Sequence, residues 1–81
     1  MSITSEKIEG NQISVIIKSS NITSATYNTE TQDLTVTFNT GGIYVYNKVP
    51  WALFTKFRMA ESQGKFFNEK IAKNHEYTKV K

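Results

Sequence analysis

Hydrophobic positions recur with period two in the first half of the chain and with helical spacing in the second, and the change falls at Pro50. The clearest alternation is Leu34 to Asn39. Leu34, Val36 and Phe38 point one way and Thr35, Thr37 and Asn39 the other, the pattern of a half-buried strand. Upstream, Ile13-Ser14-Val15-Ile16-Ile17 is apolar and β-branched and predicts a short strand, which Ser19-Ser20-Asn21 breaks. Another strand is expected from Ile22 to Asn28, with Ile22 on the face of Ser24 and Thr26. The polar run from Asn28 to Asp33 reads as a turn. Residues 1–12 lack periodicity and are expected as a flexible N-terminus, followed by one domain over 13–77 and a basic tail over 78–81.

Gly41-Gly42 reverses the chain, because glycine tolerates the positive φ that a tight hairpin requires. The strand that follows, from Ile43 to Asn47, has two possible registers. A two-residue glycine loop pairs Phe38 with Val45 and sends Tyr44 and Tyr46 to the threonine face. A three-residue loop, Thr40-Gly41-Gly42, pairs Phe38 with Tyr44 and Val36 with Tyr46, placing the tyrosines on the Leu34-Val36-Phe38 face. The second is favoured, since glycine ending a three-residue loop is a common bulge arrangement. Both tyrosines are then expected to be largely buried, with Ile43 and Val45 on the outer face.

Pro50 suits the first position of a helix, where its missing N–H is not needed. Leu53, Phe54, Phe57 and Ala60 make one apolar stripe. Gly64 is expected to end that helix and Ser62 to cap the next. Phe67 and Ile71 give the second helix a buried line, with Asn74 as its stop. Residues 75–81 look extended, either frayed or adding an edge strand. The fold class is therefore α+β: a small antiparallel sheet of three or more strands with two C-terminal helices packed on one face.

Composition narrows the function. The chain has 81 residues and no cysteine, so disulfides and thiolate metal sites are excluded. No signal peptide is visible, and nothing approaches the roughly 18 consecutive apolar residues of a membrane span. The expected location is the cytoplasm, or the host cytoplasm for a phage protein, with no membrane partner. Charge is uneven. Residues 1–47 carry two lysines against four acids, and residues 48–81 carry eight cations against three. A basic half suggests a polyanionic partner, and the bland alternative is a solvated surface.

Several short motifs follow one another in order: Ser19-Ser20-x-Ile22, Leu34-x-Val36-x-Phe38, Gly41-Gly42-x-Tyr44-x-Tyr46, Val49-Pro50, and Ala60-x-Ser62-x-Gly64-Lys65-x-Phe67-Asn68. Together they resemble the KTSC domain, a module found at the C-terminus of some lysyl-tRNA synthetases and alone in small bacterial and phage proteins. The likeness runs over roughly residues 19 to 77. It implies a fold more firmly than an activity, and the synthetase context suggests RNA. Two positions depart from the family pattern: Val45, where a polar residue is usual, and Trp51, where proline or a polar residue is usual.

Candidate binding residues lie in the basic half. Helical spacing puts Trp51 and Arg58 on one flank of the first helix, beside its core stripe. Phe66, Lys70 and Lys73 share a face of the second helix, with Lys65 nearby. Flat rings between cations suit a single strand, whose bases stack while its phosphates meet the charges. The alternative is that Trp51 and Phe66 pack on the sheet under lysine stems. Ser62, Gly64 and Asn68 fit either an anion-binding helix start or a plain cap. His75 is expected on the surface. No Cys-His pair, metal cluster or phosphate loop is present in the sequence, and a Ser62–Lys65 nucleophile has little support, so no enzyme, metal or cofactor is expected. The competing partners are RNA and a host or bacterial protein.

Overall fold

Period-two alternation builds one antiparallel sheet, and the computed structural model describes it within residues 2–80. Strands β1 (Ser2–Glu9), β2 (Gln12–Lys18), β3 (Ile22–Asn28), β4 (Leu34–Phe38) and β5 (Ile43–Tyr46) form a meander in which each pairs with its neighbour in sequence. Helix α1 (Trp51–Met59) follows. Then comes a second helix, α2 (Gln63–Phe66), which runs straight into a π-helical segment, Phe67–Ala72. Strand β6 (Tyr77–Lys79) returns to pair with β5. Among the described residues the sheet thus has six strands in the order of the chain. This is the expected α+β architecture, and no helix in it is long and apolar enough to cross a membrane.

The core lies between the inner face of the sheet and the helices. Ile13, Val15 and Ile17 of β2 meet Ala25 and Tyr27 of β3 and Leu34 and Val36 of β4, and Phe54, Phe57, Phe67 and Ile71 close over them. The Leu34-Val36-Phe38 face is therefore the one that the helices cover. Both apolar helix lines point inward as their spacing predicts. Pro50 stands one residue ahead of α1, with its carbonyl accepting from the Leu53 and Phe54 amides at 3.0 and 3.1 Å.

Five local expectations need correction. Residues 2–9, expected as part of a loose end, form β1. Glu9 pairs with Gln12 across a Gly10-Asn11 turn in which Gly10 takes φ +58°. Asn11 then anchors the turn, its carbonyl accepting from the Thr29 amide at 2.8 Å. Ile22 does not share a face with Ser24 and Thr26, because the register shifts between Ile22 and Ser24. That bulge returns Ile22 to the core with Ala25 and Tyr27.

The tyrosines do lie on the inner face, but their partners are displaced by two. Val36 pairs with Tyr44 and Leu34 with Tyr46. The loop is Asn39-Thr40-Gly41, closed by Phe38 N–H to the Gly42 carbonyl at 2.9 Å, with Gly41 at φ +94°. A slip of two preserves the face, so alternation alone does not distinguish these registers. Tyr46 is buried, whereas Tyr44 is only half-buried.

Gly64 does not end α1. The first helix stops at Met59, where Ala60 turns extended (ψ 147°). The buried Gln63 side chain donates to the Ala60 carbonyl at 2.8 Å and the Arg58 carbonyl at 3.3 Å. Gly64 sits inside the second helix, and Ser62 caps it as expected, accepting from the Lys65 amide at 3.3 Å. Asn74 ends the helical region with its side chain donating to the Lys70 carbonyl. Finally, Thr78 and Lys79 of the expected basic tail belong to β6. Met1 and Lys81 lie outside the described residues.

Two substitutions test this core. Tyr46→Ala is expected to cost about 3–5 kcal/mol in urea unfolding, as for other aromatic truncations in cores. The Tyr27 hydroxyl donates to the Val49 carbonyl at 2.6 Å, and burial holds its pKa above the ordinary value. Burial also raises Tyr46, followed by the neighbouring Tyr77 and Tyr44. A phenol raised in the fold keeps its proton where the unfolded chain has lost it. Its contribution is therefore complete below about pH 10 and is lost as pH rises from there through the folded values. Tyr27→Phe should lower stability at pH 7 by about 1–3 kcal/mol, since it strands a buried carbonyl. Its stability should also fall less steeply than wild type above about pH 10 in melts across that range.

Candidate functional site

Exposure of the inner face rises from β4 to β6. Leu34 and Val36 of β4 are fully buried, Tyr44 of β5 is half-buried, and Tyr77 of β6 is 56% exposed. The helical cover thins towards β6 and leaves a groove of about 810 Å³. Phe38, Tyr44, Tyr46 and Tyr77 supply its aromatic walls, the turn over residues 40–42 one end, and Ala72 and Lys79 its margin. The rings interlock. Tyr77 lies 5.4 Å from both Tyr44 and Tyr46, and Phe38 meets Tyr44 edge-on at 5.4 Å. The Lys79 ammonium stands 6.0 Å from the centre of the Tyr44 ring. The groove thus combines exposed aromatic faces with a cation, and its size is that of small-molecule and nucleotide sites.

A smaller cleft of about 250 Å³ adjoins it, sharing Phe38 and Thr40. The second helix contributes to both: Gly64, Phe67 and Asn68 line the cleft, and Ala72 lines the groove. Phe67, Asn68 and Ala72 belong to the π-helical segment, an irregularity that often accompanies functional sites.

The residues expected to bind in the basic half divide into two groups. Trp51 and Arg58 do come together, with the guanidinium 5.2 Å from the Trp51 ring and 5.0 Å from Phe54. Arg58 is not a free cation, however. Its Nη1 lies 2.7 Å from the Glu6 carboxylate of β1, and its side chain is only 19% exposed. Trp51 packs against Tyr27 and Phe54, with about half of its surface exposed. Phe66 is half-buried and makes its ring contact with Phe57 at 6.3 Å, so it does not join Trp51 in one platform. Lys65, Lys70 and Lys73 are exposed, and among the described residues none takes part in an ion pair. His75 is half-buried in a polar cleft beside Asn47, Lys48 and Glu76.

The sequence reading missed Tyr77 and Lys79. The signal was their alternation in Tyr77-Thr78-Lys79, which puts ring and cation on one face once the segment is a strand. Asn21 was passed over as a strand breaker. It lines the smaller cleft.

The KTSC domain model matches residues 18–77 of this sequence. This chain belongs to the KTSC domain family. Its fold is shared with a solved KTSC domain protein from Yersinia pestis, at a TM-score of 0.81 and 28% sequence identity over 86% of this chain and 99% of that one. No curated protein matches the chain. The KTSC domain is a small module of unknown function, which fits a non-catalytic role. The matched span begins at Lys18, yet in this KTSC chain β1 and β2 belong to the same packed unit, for β2 supplies three core residues and β1 supplies Glu6.

The Glu6–Arg58 pair is partly exposed, so its coupling should stay below about 1 kcal/mol in a double-mutant cycle. Arg58→Ala also removes contacts with two rings, and it should destabilise the domain by about 0.5–1 kcal/mol more than Glu6→Ala in urea melts.

Proposed function

We propose that this KTSC domain is a non-catalytic module that binds single-stranded RNA. Bases lie against the aromatic groove, and phosphates meet Lys65, Lys70 and Lys73 of the second helix and Lys79 of β6. The observation that carries the reading is the groove itself: an exposed tyrosine, a half-exposed tyrosine and a cation on one open edge of the sheet. Stacking on such rings tolerates any base, and the charges follow the backbone. The net excess of cations over residues 48–81 supplies the complementary field. Compared with the surface expected from helical spacing, this reading keeps the three exposed lysines. It replaces Trp51, Phe66 and the paired Arg58 with Tyr44, Tyr77 and Lys79.

The outer face of the sheet favours a second reading, a protein partner. No helix covers it. Ile16, Ile43 and Val45 stand there among Ser14, Thr26, Thr35 and Thr37, and all of these are exposed or half-exposed.

Fluorescence anisotropy with a labelled mixed-sequence oligoribonucleotide separates the two. Four lysine contacts give log affinity against log salt a slope of about −3 for a single strand. Tyr77→Ala should weaken binding by about 1–3 kcal/mol. It should lower the melting temperature much less than Tyr46→Ala, because more than half of the Tyr77 residue is exposed. Replacing Lys70 and Lys73 by alanine should flatten the slope by about 1.4. A wild-type chain with no affinity for RNA in low salt ends this reading and turns attention to the outer face.

A further inference from the structure

We infer that the smaller cleft recognises one nucleobase by its hydrogen-bonding edge, through the side-chain amides of Asn21 and Asn68. The inference rests on the RNA reading above and names what that reading leaves open, whether the module distinguishes bases. The cleft lies between the start of β3, the β4–β5 turn and the second helix. Ile22, Phe38 and Phe67 form its apolar floor, and it contains no charged residue. A phosphate finds no cation there, and an ammonium finds no carboxylate. What the lining offers is amides and hydroxyls over aromatic rings, the chemistry of an uncharged, flat ligand that both donates and accepts.

Three asparagines line the cleft, and their partners distinguish them. Asn39 is committed to the fold: its Oδ1 accepts from the Thr23 hydroxyl at 2.7 Å and its Nδ2 donates to the Ser19 carbonyl at 3.0 Å. The side chains of Asn21 and Asn68 have no hydrogen-bond partner within the described residues, and both are exposed. Gly64 packs beside Asn21. A Cβ there would stand 3.6 Å from the Asn21 amide nitrogen and 3.2 Å from the Ser19 hydroxyl, so the amide lies close against the helix.

Each free amide presents a donor and an acceptor side by side, which matches two adjacent groups on a base edge. Adenine, with N6 as donor and N7 as acceptor, is the base that an asparagine meets in this bidentate way. Phe38 and Thr40 line the cleft and the groove alike, so the base held here belongs to a nucleotide next to the one stacked on the tyrosines. Cations and tyrosines give affinity, and the amide cleft gives preference.

The test compares oligoadenosine, oligouridine and oligocytidine of equal length on the wild type and on Asn21→Ala, Asn68→Ala and Asn68→Asp. The wild type should prefer oligoadenosine by about 5- to 150-fold, the span of one bidentate amide–base pair. The variants should lose that preference while keeping the melting temperature and the salt slope. In the wild type, the side-chain amide NMR signals of Asn21 and Asn68 should shift on adding oligoadenosine. Equal binding of all three homopolymers overturns this inference and leaves the RNA reading standing, as does a preference that survives the asparagine changes. Absence of binding to every homopolymer in low salt overturns both.

Discussion

Val49 is the residue on which the two halves of this domain meet. Its N–H donates to the Gln32 carbonyl at 2.9 Å, its own carbonyl accepts from the Tyr27 hydroxyl at 2.6 Å, and its side chain is wholly buried. Both peptide groups of one residue are thereby fixed, one to β3 and one to the β3–β4 turn, just before the helices begin. Gln32, the acceptor of the Val49 N–H, and Lys48, the residue before Val49, both take positive φ, 63° and 56°, a region that non-glycine residues seldom occupy. Tyr27 extends the constraint inward, stacking on Phe54 of α1 with ring centres 4.4 Å apart. The direction in which α1 leaves the sheet follows from these contacts, and every helical side chain in the core depends on that direction.

From this anchor the helices run over β2, β3 and β4 and cover β5 and β6 less completely. The result is a gradient, from closed core at Leu34 to open rings at Tyr77. A small domain has few aromatic residues to spend on its interior, and this one leaves part of that set in contact with solvent. Phe67 shows how core and site are joined: it meets both Phe38 and Tyr46 edge-on, so the wall of the groove is continuous with the packing beneath it.

Much of this architecture is legible in the sequence because its main signals are local. Leu34, Val36 and Phe38 alternate, Phe54 and Phe57 keep helical spacing, and Ser62 stands where a cap belongs. The missed features depend on pairing or on long range. β1 is an edge strand whose visible signal is the Gly10-Asn11 turn, because its side chains follow no strong alternation. The bulge beside Ile22 inserts a residue that simple counting of period two passes over. Spacing joined Trp51 to Arg58, but the carboxylate that neutralises Arg58 lies 52 residues away in sequence. The groove was hidden for the same reason, since Tyr77 reaches Tyr44 and Tyr46 only when the chain returns from the helices.

That return bears on the order in which the molecule assembles. Every pairing from β1 to β5 joins neighbours in sequence, so each closes a short loop. β6 joins β5 only across both helices, over the longest closure in the sheet, and it brings just three residues. Contacts of such high sequence separation form late, and short edge strands open first. Within the sheet, the outer wall of the aromatic groove therefore rests on the pairing with the longest closure to make. A chain in which β6 has not paired lacks the groove while keeping its meander, which couples the groove to completion of the fold.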